Sequence, residues 1–433
     1  MSHSYFSDLL PQLAERSKLA TIGQLGFANV PLRRYLAEIF SHPFGVSGSF
    51  LGDPTFEAVF GWEAAQPTMG ELAGNLLSNQ LVNAMHNPPK ELAEDYAFKK
   101  NWHPHRHQLE SWKILAAPSP KSLVVASGTG SGKTECFMVP ILDRLVREQQ
   151  VKQRQLVGVR ALFLYPLNAL INSQRERLRA WTHAFDGQIR FCLYNGNTPD
   201  EEPAHKHREN PCEVIDRKAL RSAPPPILVT NSTMLEYMLV RTADAPILRQ
   251  SQGQLEWIVL DEAHTYIGSQ AAELSLLIRR VLYAFGVKPE QVRFVATSAT
   301  IGDTNGEAGQ KLKRFLADVA GIDPGYVYLV GGRRAIPALV SDGADSALSF
   351  DELCNIDSGK VATKARCTAL SNHPVARRIR NLFVDDPLKS VARLSQVCAS
   401  FGFTDASRSE QHRALLWLDL LSGTTSVLSG TTS

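Results

Sequence analysis

Between about residues 120 and 330 the chain alternates short apolar runs with small or polar clusters and then segments whose apolar positions recur at helical spacing. The runs are Leu123-Val124-Val125, Ala161-Leu162-Phe163-Leu164-Tyr165, Phe191-Cys192-Leu193-Tyr194, Ile227-Leu228-Val229, Trp257-Ile258-Val259-Leu260 and Phe294-Val295-Ala296. None alternates apolar with polar, so each predicts a strand covered on both faces, as in a parallel sheet flanked by helices. The pattern predicts an α/β domain over residues 101–335. Ligands of such sheets bind beyond the carboxyl ends of the strands, where the polar clusters fall. In residues 1–100 the positions Leu9, Leu10, Leu13 and Ala14, then Leu32, Leu36, Ile39 and Phe40, predict a helical accessory domain. Residues 199–226, with His205, Lys206, His207, Arg208, Glu209 and three consecutive prolines, read as a solvated loop. Periodic patterns near 375–384, 389–400 and 410–421 predict a small, mostly helical segment over 336–422, either a plain bundle or a helix-turn-helix. Leu-Ser-Gly-Thr-Thr-Ser occurs at 421–426 and again at 428–433, and residues 423–433 are expected to form a disordered tail.

The cluster after the first run is Ser127-Gly128-Thr129-Gly130-Ser131-Gly132-Lys133-Thr134, directly before a helical pattern. Glycines let successive backbone N–H groups turn inward, and the helix that follows presents its positive end to the same point, which suits a phosphate. Lys133 would reach the β and γ phosphates of ATP, and the Thr134 hydroxyl would ligate Mg²⁺. Ser127 stands where the general pattern has glycine, and a small residue can serve there.

After the run Trp257 to Leu260 come Asp261 and Glu262, with Ala263 and His264 behind them. Adjacent carboxylates at the end of a buried strand can divide the work of phosphate hydrolysis. Asp261 would hold Mg²⁺ through water, opposite the phosphates, and Glu262 would orient and deprotonate the attacking water.

Ordered as phosphate loop, Asp-Glu-Ala-His and Ser298-Ala299-Thr300, these motifs resemble the first RecA-like domain of superfamily 2 DEAD/DEAH-box helicases over roughly residues 100–335. The resemblance implies that Gln108 reads adenine and that Ser298, Ala299 and Thr300 couple hydrolysis to strand movement. It assigns Pro166, Asn168 and Gln174, the cluster with Gly196 and Thr198, and Thr230 with Asn231 to a nucleic-acid track. Short polar groups of this kind suit backbone phosphate contacts. Within the superfamily, Leu260 to Tyr266 followed by Gly268, with Arg279-Arg280 and Met234 to Leu239, is similar to bacterial YprA/MrfA-like and Lhr-type DNA helicases. That likeness implies single-stranded or partly duplex DNA, more than RNA, as partner, in repair or phage defence.

Composition changes this picture little. With 44% hydrophobic and 21% charged residues and a net charge of +3, the chain reads as an ordinary globular protein whose nucleic-acid contacts must be local. Its six cysteines form no C-x-x-C pair, which fits a reduced, cytoplasmic setting, and no stretch predicts a membrane span or signal peptide. His103, His105 and His107 alternate as strand-borne metal ligands can, and Arg175, Arg177, Arg179, Arg279 and Arg280 suit either phosphates or a solvated face.

Superfamily 2 motors close ATP between two RecA-like domains, with an arginine from the second stabilising the transferred phosphoryl group. Its signature, Q-x-x-G-R-x-x-R, does not follow Thr300; Gly332-Arg333-Arg334 is the nearest resemblance. The second RecA-like domain is therefore expected from a longer form or another chain, and hydrolysis by this chain alone is expected to be slow. The competing reading is a nucleotide-gated nucleic-acid-binding or scaffold subunit without productive turnover.

Overall fold

The computed structural model describes residues 5–46, 49–128, 130–266, 268–298, 306–336, 348–356, 364–384 and 390–422. Along them run the strands β1 (Thr55–Glu57), β2 (Ser122–Ala126), β3 (Ala161–Leu164), β4 (Phe191–Leu193), β5 (Ile227–Thr230), β6 (Trp257–Leu260), β7 (Arg293–Ser298), β8 (Val327–Gly331) and β9 (Val391–Arg393). Strands β2 to β8 make one seven-stranded sheet in the order β4-β5-β3-β6-β7-β2-β8, with every pairing parallel. All six apolar runs become strands. The seventh, β8, lies at the sheet edge and exposes Tyr328, so its run is broken by a solvent-facing residue and escapes the pattern.

Alternate residues of each strand feed two apolar layers. Leu123, Val125, Phe163 and Val259 pack with Leu109, Trp112, Phe137, Ile141 and Leu178 from the helices Arg106–Leu115, Lys133–Lys152 and Arg175–Thr182. Val124, Leu162, Ile258 and Leu260 pack with Met234, Leu235, Leu277 and Leu316 from the helices Ser232–Val240, Ser269–Ala284 and Glu307–Ala320. Burial of a large aliphatic or aromatic side chain is worth roughly 1.5–3 kcal/mol, so the two layers dominate the stability of this unit.

The order of the strands sorts the motifs. The chain steps from β2 across two positions to β3 and only later fills the gap with β6 and β7. The phosphate loop after β2 and the carboxylates after β6 are thereby left flanking β7, at the point where the winding reverses. The clusters after β3, β5 and β4 continue along the same edge on the far side of β6.

The expected boundary at residue 100 is corrected. One compact unit spans Trp62–Arg333, and the other joins the described residues up to Gly61 with those from Arg334 onward. Met69, Leu81 and Met85 are fully buried in the same layer as Phe137 and Phe163, and the Trp181 indole N–H donates to the Tyr96 carbonyl at 2.9 Å. Residues 62–100 thus belong with the sheet. The two chain ends need each other because a helical hairpin alone leaves its apolar stripe in water. The Asp419 carboxylate accepts from the N–H groups of Phe6 and Ser7 at 2.6 and 3.0 Å, capping the helix Phe6–Leu25. Gln411 exchanges two hydrogen bonds with the Phe44 backbone, and β1 pairs antiparallel with β9. The helices Pro374–Val384, Leu394–Ala399 and Arg408–Ser422 fall on the periodic runs, and Ile379, Leu394, Leu415 and Trp417 share their core with Phe56. The tail expected over 423–433 lies outside the described residues.

Residues 199–226 are not the solvated loop their composition suggests. They carry the short helices Ala204–Glu209 and Arg217–Ser222, and they bury Cys212, Glu213, Val214, Asp216 and Leu220. Asp216 is the organiser, accepting from the N–H groups of Glu202 and Ala219 and meeting the His207 ring at 2.9 Å. No helix among the described residues is long and apolar enough to cross a membrane.

Candidate nucleotide site and nucleic-acid face

At the end of β2 the Ser127 N–H donates to the Ser298 carbonyl of β7 at 3.2 Å, and the chain then turns into the phosphate loop. Gly130 and Gly132 take φ of 71° and 74°, a left-handed backbone that glycine adopts without steric cost. Lys133 opens the helix Lys133–Lys152, and its ammonium group curls back to donate to the carbonyls of Ser127 and Gly128 at 3.0 and 3.4 Å. The side chain therefore lies inside the loop it would serve. Ser127 has its own use: its hydroxyl meets that of Ser131 at 2.6 Å, closing the loop where glycine could make no such bond. Thr134 occupies the first turn of the helix, and Thr129 lies outside the described residues.

Two neighbouring side chains brace the loop from the helix Arg106–Leu115. His107 Nε2 lies 2.8 Å from the Ser131 carbonyl, and Gln108 Nε2 donates to the Gly132 carbonyl at 3.2 Å while its Oε1 accepts from the His105 N–H. Burial pushes the His107 imidazole down to about 4, so at neutral pH it is uncharged and donates through Nε2–H. Gln108 is itself buried, its amide spanning from the loop carbonyl of Gly132 to the His105 N–H at the start of its own helix. The His103, His105, His107 run is thus accounted for in part by loop support and by the stacked rings of His105 and His107.

On β6 the register Leu260↔Ala296 sets Asp261 beside Thr297 of β7. The Thr297 hydroxyl donates to the Asp261 carboxylate and accepts from the Glu262 N–H at 3.1 Å, so one side chain fixes both acidic residues. Glu262 adopts φ of 51°, and its carboxylate lies 3.2 Å from His264 Nδ1. Burial raises the Asp261 carboxyl above the ordinary range, opposed by the Thr297 hydrogen bond and by the Lys133 charge. A buried, partly uncompensated carboxylate near a lysine, with the Thr134 hydroxyl in the first turn of the helix that follows the loop, is a hard-oxygen donor set that fits Mg²⁺ held with phosphates. Thr297 had a signal in the sequence, its position directly before Ser298, but only strand pairing gives it this role. Ser298 is fully buried, with its carbonyl holding Ser127. Ala299 and Thr300 lie outside the described residues.

The residues expected along a nucleic-acid track divide by exposure. Asn168 is exposed and Pro166 half-buried after β3, Gly196 is exposed after β4, and the Asn231 amide donates to Asn168 Oδ1 at 2.8 Å, joining two of the loops. Gln174, Thr198 and Thr230 are buried instead. The hydroxyls of Thr198 and Thr230 donate to the carbonyls of Leu193 and Tyr194, and the Gln174 carbonyl accepts from Arg177. These three hold the loops from within. Tyr165, from the same cluster as Pro166, is fully buried too. The arginines are also committed: Arg175 and Arg179 both donate to the buried Glu213 carboxylate at 3.0 Å, Arg177 meets Glu135, and Arg280 meets Glu236. Sequence alone could not find Glu213 as their partner, because it stands in the segment that reads as solvated.

Residues 105–308 match the family model of the DEAD/DEAH box helicases. The chain is 28% identical over 350 residues to the Druantia protein DruE of Escherichia coli (strain UMEA 4076-1), a match covering 57% of this chain and 19% of that protein. It is 29% identical over 211 residues to the ATP-dependent helicase YprA of Bacillus subtilis (strain 168), covering 48% of this chain and 24% of that one. This chain therefore spans only about a fifth to a quarter of these relatives' length. Among solved structures it is similar to the DUF1998 helicase MrfA bound to DNA, at 21% identity and a TM-score of 0.43, covering 64% of this chain and 32% of that one.

Proposed function

We propose, from the match of residues 105–308 to the DEAD/DEAH box helicase family model, that this chain is the nucleotide-hydrolysing half of an ATP-dependent helicase or translocase that acts on DNA. The observation that carries the reading is the convergence of two motifs on β7. The loop holding Lys133 is tied to Ser298, and the carboxylates of Asp261 and Glu262 are tied to Thr297.

In this reading Lys133 and the loop N–H groups bind the β and γ phosphates, Thr134 and Asp261 hold Mg²⁺, and Gln108 sets the loop while facing the adenine. Bound Mg²⁺ neutralises charge on the phosphate oxygens. Glu262 accepts the proton of the attacking water, with His264 beside it to orient the carboxylate, and Thr297 keeps both acids in register. Ser298, Ala299 and Thr300 link this site to movement of the strand. The nucleic-acid face is placed over Pro166, Asn168, Gly196 and Asn231, where exposed amides and backbone suit phosphate contacts. The choice of DNA follows from likeness to YprA- and Lhr-type helicases.

The arginine that completes hydrolysis comes, in this proposal, from a second RecA-like domain outside residues 1–433. Arg334, in the sequence closest to its signature, instead donates to the Phe60 carbonyl at 2.8 Å. Loss of such an arginine slows turnover on the order of a thousandfold, so this chain alone binds ATP·Mg²⁺ and hydrolyses it slowly. The test is ATP turnover by the purified chain with and without single-stranded DNA or RNA, beside Lys133→Ala and Glu262→Gln. Weak turnover that DNA stimulates and both substitutions abolish supports the motor. Nucleotide binding that gates a partner with no turnover, even with a second RecA-like domain added, would replace it with the scaffold reading.

A further inference from the structure

Two residues beyond Lys133, Glu135 places its carboxylate 3.3 Å from Arg177 Nη2, and the two side chains keep only 15% and 23% of their surface exposed. The guanidinium goes on to donate from Nη1 to Gln174 Oε1 at 3.2 Å, and it lies over the Tyr96 ring at 5.8 Å. A continuous polar path therefore runs from the helix that carries Lys133 to the end of the segment that carries Pro166 and Asn168. Arg177 is singular in this respect, since Arg175 and Arg179 on the same helix turn to Glu213.

The path is not saturated. Glu135 Oε2, Arg177 Nε and the hydroxyl of Tyr165 are buried and find no hydrogen-bond partner among the described residues. Tyr165 stands at the start of the Pro166 segment, within electrostatic reach of Asp261, Glu262, Glu135 and Arg177. Buried polar groups that serve only packing are normally all paired. Spare donors and acceptors on one connected path suit a pair that can exchange partners when charge arrives at the neighbouring loop.

Resting on the nucleotide and nucleic-acid reading above, we propose that Glu135 and Arg177 are positioning residues that transmit nucleotide occupancy of the phosphate loop to the segment Pro166 to Gln174, and so set its affinity for single-stranded nucleic acid. Neither touches a reacting atom. A nucleotide changes the Lys133 helix, Glu135 carries the change to Arg177, and Arg177 moves or releases Gln174. Coupling of this kind is reciprocal, so nucleic acid must tighten nucleotide by the same factor.

The test titrates fluorescein-labelled oligothymidine into the full chain with and without saturating Mg·AMP-PNP, for the parent, Glu135→Gln, Arg177→Gln and the double variant. Nucleotide affinity is measured separately with a fluorescent ATP analogue, and thermal midpoints monitor folding. A ratio of oligonucleotide Kd values of about tenfold in the parent is expected to fall to about one in each single variant, with nucleotide Kd within about twofold. The double variant should be no worse than either single one, because both lie on one path. Arg177→Lys, which keeps the charge and loses the fork, should restore part of the ratio and serves if Arg177→Gln does not fold. An unchanged ratio in folded Glu135→Gln, or in folded Arg177→Gln, overturns the inference. A parent that binds both ligands without mutual effect also overturns it and leaves the functional reading intact; a parent that binds neither ligand overturns that reading and this inference together.

Discussion

The two stretches of the sheet edge handle polar residues in opposite ways. Beyond β2, β7 and β6, charged side chains gather: Lys133 curls into its own loop and Asp261 is held buried, fixed by a neighbouring strand. Beyond β3, β5 and β4, the hydroxyls of Thr198 and Thr230 turn inward and Arg175 and Arg179 share the buried Glu213 carboxylate, while Asn168 and Gly196 face out. The difference is the one the proposed function calls for: a terminal phosphate undergoing transfer needs oriented charge in a partly dry site, whereas a strand that slides needs a shaped surface with few strong anchors.

The largest expected effect tests how far the nucleotide side depends on its buried supports. His107 has its folded-state pKa depressed to about 4, below the ordinary 6.5, so its contribution is fully present above pH 6.5 and is lost as pH falls toward 4. Such a shift corresponds to about 3 kcal/mol at its limit. Unfolding measured between pH 7 and 4 should therefore show a steeper loss for the parent than for His107→Gln, which keeps a donor for the Ser131 carbonyl without the titration. Equal slopes would remove His107 as the acid-sensitive support.

Next, Glu213→Ala probes the side proposed to hold nucleic acid. It strips Arg175 and Arg179 of their common acceptor, and because both arginines are about a third exposed the cost is about 2 kcal/mol, below that of a fully buried pair. The thermal midpoint should drop, and oligonucleotide affinity should hold or rise as two arginines are released. A clear loss of affinity without a change in midpoint would mean that the pair itself contacts the strand, erasing the contrast between the two sides.

The smallest effect compares two glycines in one loop. A Cβ on Gly132 would stand 2.2 Å from Gln108 Nε2, while a Cβ on Gly130 would meet nothing within 4 Å. Both carry the positive-φ penalty of about 1 kcal/mol, so Gly130→Ala should cost about that much and Gly132→Ala more, with a weaker nucleotide Kd. Equal losses would show that Gln108 yields freely and is no brace.

The apolar runs made the sheet and the phosphate loop legible in the sequence, since unbroken Val, Leu and Ile runs of three to five residues bounded by polar clusters suit strands buried on both sides, and Gly-Lys-Thr after such a strand has few other uses. The acidic pair after β6 was equally legible, because its chemistry is local to adjacent residues. Tertiary structure alone decided the rest. It split the first hundred residues at Gly61, because Met69 and Met85 complete the core of the sheet while Phe6, Phe44 and Phe56 are needed by the other chain end. It gave Thr297 to Asp261, Glu213 to two arginines and Glu135 to Arg177, pairings across 36, 38, 34 and 42 positions of sequence. A polar side chain's role depends on what burial leaves beside it, and a linear pattern records periodicity but not partners.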